Sequence, residues 1–414
     1  MSAPQFQHPH TSSLRLRGRV VTPTQVLPDA IVEINNGTVT AVTPADGLPL
    51  PEATGDTNGT TTPEPTALTI LPGLVDIHNH GGGGSSFADA LTAEDVSHAA
   101  GEHLRHGTTT IMASLVTADR PTLLARAELL AAAVDAGIIA GIHAEGPFLS
   151  PQRCGAQNPA DLTAADPGFV TELLQAARGH LRTMTLAPEV AGVTCCGGVA
   201  VALAEGGVIP SLGHTNATFG ECEAMIARTA PLLAEHGLRM TATHLFNGMP
   251  PIHHRNPGPV MACLAAAARG EMVVELIADG VHLDPSMMRT VMELVSAENM
   301  ALVTDAMAAT GMADGAYRLG PADVVVTHGV ARLATTDGSL GALAGGTAHL
   351  LDTVRTCVNA GVPLIDAVNA ASATPAGALG WTDRGGIAPG KRADILVTNR
   401  ALKPVQVYRA GILQ

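Results

Sequence analysis

The sequence predicts an α/β fold: a (β/α)8 TIM-type barrel carrying a small β-sandwich domain formed from both chain termini. Three observations point there. Between about Leu71 and Gly380, short apolar runs alternate with Ala-rich helical stretches, the pattern of repeated βα units. β-like runs with turn signals occupy both ends of the chain. Each notable polar cluster falls where an apolar run gives way to a loop, as at the C-terminal face of such a barrel. The implied boundaries are residues 1–70 with 385–414 for the β domain and 71–384 for the barrel.

Taken in order, the first segment holds β-like runs at 19–21, 30–34 and 39–42, separated by Pro, Asn-Gly and Asp-Gly turn signals. A Thr/Pro/Gly/Glu stretch at 48–65 reads as a mobile loop. Eight barrel runs follow, at 75–80, 111–115, 142–145, 184–188, 209–214, 241–245, 274–279 and 302–305, with helical stretches such as 123–135, 199–205 and 285–297 between them. From Gly385, G-G-I-A-P-G-K-R-A-D-I-L-V-T-N and then V-Q-V-Y-R-A-G-I-L return to β character. One Trp, two Tyr and six Phe leave the core to small aliphatic side chains, which suits helices packed on a sheet.

The 414 residues carry a formal charge of −14, which argues against a nucleic-acid partner because polyanions are held by Lys and Arg. A small anionic ligand is still allowed, since one or two placed cations can hold it. Residues 1–19 contain no apolar run of signal-peptide type, and no stretch approaches the roughly 20 apolar residues of a membrane span. The expectation is a soluble, cytoplasmic protein without a membrane partner. Cys154, Cys195, Cys196, Cys222, Cys263 and Cys357 form no C-x-x-C pair and read as buried free thiols, except Cys154 in the exposed-looking loop S-P-Q-R-C-G-A-Q-N-P.

The chemistry lies at the strand ends. L-P-G-L-V-D-I-H-N-H-G sets His78 and His80 two apart, so at strand spacing both imidazoles share a face and can reach one metal ion. Alone, such a pair also fits a solvated strand end. G-I-H-A-E-G-P-F-L-S ends the third run on Glu145, a carboxylate placed to bind or bridge metal, while His143 reads as a supporting or packed residue. S-L-G-H-T-N-A-T brings His214 to the fifth run's end, and T-A-T-H-L-F-N-G-M-P-P-I-H-H-R-N-P-G brings His244, Asn247, His253, His254 and Arg255 to the sixth. At least one of His253 and His254 reads as a loop histidine without catalytic duty. I-A-D-G-V-H-L-D adds Asp279 and His282, and L-V-T-D-A-M ends the eighth run on Asp305, where it can bind metal and shuttle protons. Each is an ordinary strand terminus singly. Together they point to a His/carboxylate metal site with an open position for water.

With these motifs in place, the chain resembles the N-acetylglucosamine-6-phosphate deacetylase family of the amidohydrolase superfamily. The resemblance runs from P-G-L-V-D-I-H-N-H to G-x-I-A-P-G-K-R-A-D, and H-A-E-G-P-F-L, G-H-T-N-A-T, H-L-F-N-G-M and A-D-G-V-H carry it most specifically. It implies that Glu145, His214 and His244 bind the main divalent metal, with Glu145 where other superfamily members use a carboxylated Lys, and that Asp305 is the catalytic base and acid. His78 and His80, which some members lack, imply a second ion held with Glu145 and Asp305, hence one or two ions per subunit. Zinc is the expected metal, with iron, cobalt, manganese and cadmium as other candidates. Asn247, Gly248, Asp279, His282, Leu343, Ala344 and Gly345 are expected at the substrate, with Ala156 and Gln157 where relatives carry His or Thr. Arg255 is expected to hold the 6-phosphate from the neighbouring subunit of a homodimer.

The implied reaction is hydrolysis of the acetamide of N-acetylglucosamine 6-phosphate, in amino-sugar catabolism and cell-wall recycling. Asp305 relays the proton, and His282 helps stabilise the oxyanion. Two other readings stand beside it. A dihydroorotase-like cyclic-amide hydrolase would need a bridging Lys and a different anion-binding set. A non-catalytic barrel serving as an interaction protein would be expected to have lost ligands.

Overall fold

The structure, a computed structural model, describes residues 13–45, 67–195, 197–336 and 339–414. Eight parallel strands, Leu74–Asp76, Thr108–Leu115, Gly141–Glu145, Leu181–Leu186, Ile209–Leu212, Met240–Ala242, Met272–Ile277 and Met300–Val303, are hydrogen-bonded in chain order. Nearly every residue in them is buried, as expected for strands covered by helices outside and by packed side chains within. The ring closes just beyond the strand ends: Asp305 N–H donates to His78 O at 2.9 Å and His80 N–H to Ala306 O at 2.7 Å. Barrel closure thus passes through candidate site residues.

A helix follows each strand, Ala93–Arg105, Arg120–Asp135, Pro167–Ala176, Val199–Glu205, Phe219–Glu235, Gly258–Ala268, Pro285–Val295 and Leu350–Asn359, and two short ones, Leu364–Ala370 and Ala373–Ala378, come after the last. Their starts are written locally. Thr92 with Asp95 and Thr218 with Glu221 form capping boxes, and Asp119, Asp166 and Asp284 cap helices whose first turn contains Pro. The stretch expected to be helical at 285–297 ends at Val295, where Ser296 takes a positive φ of 65°.

The termini build one seven-stranded sheet, in the order Ile412–Leu413, Pro404–Arg409, Ile395–Asn399, Leu68–Pro72, Ser13–Val21, Val26–Asn35, Thr38–Pro44. Leu68–Pro72 joins the two chain ends, pairing antiparallel with Ile395–Asn399 and parallel with Ser13–Val21. Val20, Val32, Ile34, Ile70, Ile395 and Tyr408 fill the core of this sheet, separate from the barrel core. Its first strand begins at Ser13, six residues before the apolar run that signalled it, because Leu14 and Leu16 alternate with Arg15 and Arg17 rather than forming a run. The stretch at 48–65 and Cys196 lie outside the described residues.

One element was not foreseen. Between the eighth barrel strand and its helix, Gly315–Leu319, Ala322–Thr327 and Val330–Leu333 form an antiparallel meander. Val324, Val326 and Ala331 pack with Met307 and Ala344 beneath it. Among the described cysteines Cys222, Cys263 and Cys357 are buried free thiols; Cys195 is exposed, contrary to expectation, because it lies in a turn, and Cys154 is half-buried. Among the described residues no helix is long and apolar enough to cross a membrane.

Candidate active site

Two groups of metal-ligand side chains meet at the C-terminal mouth of the barrel, one of His78, His80 and Asp305 and one of Glu145, His214 and His244, all buried. In the first, the two Nε2 atoms lie 3.1 Å apart, with Asp305 Oδ1 at 3.4 Å from His78 and 3.1 Å from His80. In the second, Glu145 Oε1 is 2.9 Å from His214 Nε2 and 3.0 Å from His244 Nε2. Glu145 Oε2 is 3.2 Å from His80 Nε2, so this carboxylate lies between the groups. The backbone is bent to achieve this: His214, His244 and Asp305 all have positive φ, at 46°, 29° and 48°. Such conformations cost about 1–3 kcal/mol each and persist where surrounding structure enforces them.

The donor set fits a cation. His80 Nδ1 faces Ser114 O at 3.2 Å and His214 Nδ1 faces Arg153 O at 2.8 Å. A carbonyl only accepts, so Nδ1 carries the proton and a neutral ring turns the Nε2 lone pair toward the carboxylates. Two lone pairs facing each other repel unless positive charge stands between them. The same carboxylates draw positive charge to this spot, as protons on the rings where no cation supplies it. Burial disfavours charged imidazoles here, yet the carboxylates around them outweigh it, Asp305 and Glu275 lifting His78 to about 9 and Asp305 and Glu145 lifting His80 to about 10. Against burial, Glu145 is held low by His214, His244 and His80, and Asp305 by His78 and His80. Nitrogen and carboxylate donors in this geometry suit a divalent cation of the zinc type.

Behind the ligands lies a buried polar framework. Gln157 donates from Nε2 to Glu145 Oε2 at 2.6 Å while its Oε1 accepts from Thr117 N at 2.7 Å, so it braces Glu145 as well as facing the cavity. Asp76, pushed up to about 6 by burial, accepts from Thr304 Oγ1 at 2.6 Å and Asn79 Nδ2 at 3.1 Å. That ties the first strand's end to the residue preceding Asp305. His143 is packed inside the barrel between Ser114 Oγ at 2.8 Å and Thr185 Oγ1 at 2.7 Å, and burial holds it well below the usual imidazole range.

A cavity of about 240 Å³ opens over the ligands. Of the expected substrate residues, Ala156, Gln157, Asn247, Gly248, His282, Leu343 and Gly345 line it, beside His80, Glu145, His214, His244 and Asp305. Asp279 stands behind His282, its Oδ2 2.8 Å from His282 Nδ1. Ala344 does not reach the cavity: neighbours along an extended segment point to opposite sides, and Ala344 packs with Met307 and Ala331. Arg255 is exposed on the loop, its Nη1 2.8 Å from His254 Nε2, and it does not line this cavity; neither do His253 and His254. His78 lies fully buried below the cavity floor.

Four positions escaped sequence reasoning. Gly155 sits in the loop that held Ala156, whereas Leu319 and Ala342 come from the unforeseen meander and the segment after it. Glu275 is a buried carboxylate within V-V-E-L-I whose Oε2 lies 3.2 Å from His78 Nδ1. A charge inside an apolar strand was the available signal.

The chain matches the Amidohydrolase family over residues 69–413. It is 31% identical over 392 residues to the N-acetylglucosamine-6-phosphate deacetylase of Bacillus subtilis, covering 92% of this chain and 91% of that protein. It is 32% identical over 411 residues to the N-acetylgalactosamine-6-phosphate deacetylase of Escherichia coli, covering 97% and 99%. Among solved structures, a variant of N-acetyl-D-glucosamine-6-phosphate deacetylase from Mycobacterium smegmatis in complex with N-acetyl-D-glucosamine-6-phosphate is similar with a TM-score of 0.84 and 40% identity, over 97% of this chain and 99% of that one. This chain therefore belongs to the amidohydrolase family and, within it, to the N-acetylglucosamine-6-phosphate deacetylases.

Proposed function

We propose that the protein hydrolyses the acetamide of N-acetyl-D-glucosamine 6-phosphate, giving D-glucosamine 6-phosphate and acetate. The observation that carries this reading is Asp305, a carboxylate held ionised at the cavity wall within one of the two groups of metal ligands. The likeness to a structure complexed with this sugar phosphate supports the substrate. Two divalent ions per subunit, zinc first, fit the two groups, with Glu145 between them. A bound cation of this kind lowers the pKa of water from about 15.7 toward 7 and polarises a carbonyl oxygen.

The remaining work belongs to the chain. Asp305 accepts a proton from the attacking water as the C–O bond forms and the carbonyl opens to an oxyanion, then returns it to the amine nitrogen, so that the C–N bond breaks as the carbonyl re-forms. His282, fixed by Asp279, donates toward the developing oxyanion. Asn247, Gly248, Leu343 and Gly345 orient the sugar. Arg255 of the partner subunit holds the phosphate in a homodimer. The catalytic unit is the barrel of residues 71–384, carried by the β domain of 1–70 and 385–414. A phosphorylated sugar does not cross a bilayer unaided, which favours action in the cytoplasm, where such sugars are made.

The test is direct. Zinc-reconstituted protein is incubated with N-acetylglucosamine 6-phosphate, with its galacto epimer and with unphosphorylated N-acetylglucosamine, and acetate and free amine are measured. Release of both products in equal amounts, fastest from the gluco phosphate, is expected. Faster turnover of the galacto epimer would move the assignment to the Escherichia coli relative's named substrate, and no acetate from any of the three would refute deacetylation.

A further inference from the structure

Glu275 sits within the seventh barrel strand, Met272–Ile277, where Val273, Val274, Leu276 and Ile277 are fully buried. A carboxylate in such a strand is costly unless paired. Both side-chain partners found for it belong to the candidate metal centre. Glu275 Oε2 lies 3.2 Å from His78 Nδ1 and accepts the backbone N–H of His244 at 3.3 Å. One side chain therefore touches a histidine of each ligand group.

The contacts do different things. An ionised carboxylate only accepts, so His78 Nδ1 donates and, in the neutral ring, Nε2 turns its lone pair toward His80 and Asp305. His80 and His214 are oriented by backbone carbonyls, whereas His78 is oriented by a charge. His244 has no partner at Nδ1 among the described residues, so its ring is not braced from behind. Its place is set by the backbone, which at φ 29° is in a region L residues rarely adopt. Glu275 pins that backbone twice, through Oε2 to His244 N and through its own carbonyl, which accepts Leu245 N–H at 2.8 Å.

We propose that Glu275 is a positioning residue for both metal-ligand groups, fixing the His78 ring for one ion and the His244 backbone for the other. The inference rests on the two-ion reading above.

The test is zinc titration of chelated protein against a competing chromophoric chelator, with the thermal unfolding of each chelated protein recorded. Wild type is compared with Glu275→Gln, Glu275→Ala, His78→Ala and the His78→Ala/Glu275→Ala double variant. Groups that hydrogen-bond a metal ligand typically contribute 10- to 100-fold in affinity. Wild type is expected to bind two zinc ions, and Glu275→Ala to weaken both, the looser one, at His78 and His80, by about 10- to 100-fold. Glu275→Gln, which keeps an acceptor oxygen but loses the charge, should weaken it less and carries the test if the Ala variant does not fold. For that ion the double variant should be no worse than the worse single variant, because Glu275 acts there through His78. Two zinc ions in wild type with unchanged affinities in both Glu275 variants, or strictly additive losses, would overturn the inference alone. A single zinc in wild type would overturn the two-ion reading and the inference with it.

Discussion

At the residue scale, Asp305 and the Asp279–His282 pair carry the sharpest consequences. Asp305→Asn keeps size and fold but cannot take up the water proton; kcat is expected to fall roughly 10²- to 10⁴-fold, more if an ion is also lost. Turnover above about half of wild type, in a sample shown to hold its metal, would remove Asp305 from proton transfer. His282 differs. Burial works against its charged form, but the hydrogen bond and charge of Asp279 outweigh burial and raise its pKa; Asp279, also buried, is lowered by His282. A raised histidine contributes stability that is full below its unfolded pKa of about 6.5 and is lost as pH rises through the folded value. A lowered aspartate contributes above its unfolded value of about 3.9 and loses that as pH falls through the folded one. Their contribution is thus largest between those limits, and on the alkaline side it is lost as pH rises through the folded value of His282. Asp279→Asn should move the alkaline limb of the kcat/KM profile, and the His282 titration seen by NMR, to lower pH. An unmoved titration would mean that Asp279 does not set the state of His282.

These residues were legible because catalytic groups at a barrel mouth stand where an apolar run stops, a feature visible in a bare sequence. Glu275 was not, since it interrupts a run without ending it. Asp76 was hidden in the same way, read as part of the strand leading to His78 although its carboxylate joins the first and eighth strands.

At the scale of elements, each barrel strand overlaps its expected run, seven of the eight starting one to three residues earlier, because parallel strands buried on both faces leave dense aliphatic blocks. The meander at 315–333 left a weaker trace. Its middle strand, A-D-V-V-V-T, has an apolar run of only three residues, with Val324 and Val326 buried and Val325 exposed, and it stands outside the βα alternation. The loop after the sixth strand shows how an element's path sets the site. Gly248 has φ +60°, and a Cβ there would lie 2.9 Å from His214 Nδ1 and 3.3 Å from Arg153 O, the pair whose hydrogen bond orients the ring. Gly248→Ala should therefore cost about 1–2 kcal/mol in left-handed strain. It should also weaken zinc at the Glu145, His214, His244 group by roughly 10- to 100-fold. Calorimetry and zinc titration separate the effects; a variant that is destabilised but binds zinc like wild type would show that the ring yields without losing the metal.

At the scale of the whole molecule, the single chain leaves its substrate cavity without Arg255, which is exposed and turned to His254. Exposed apolar side chains lie on that loop and after it in the chain, Ile252 on the loop, Met261 and Met287 on the next two helices and Val281 between them. If a homodimer covers them, Arg255 of the partner subunit can complete the phosphate site. Hydrogen bonds to charged groups contribute about 1.5–3 kcal/mol, or roughly ten- to 150-fold in kcat/KM. Arg255→Ala should thus lower kcat/KM by about that factor for the phosphorylated sugar and barely change slow hydrolysis of N-acetylglucosamine. Mixing Arg255→Ala chains with Asp305→Asn chains then distinguishes the two placements. If Arg255 acts across the interface, one site of the mixed dimer carries both defects and the other neither, so activity reappears on subunit exchange. If it acts within its own chain, each site keeps one defect and no activity returns. Tagged chains purified as verified mixed dimers, assayed with the phosphorylated sugar, decide it: recovery toward half the wild-type rate per dimer places Arg255 in the neighbouring site, and none places it in its own.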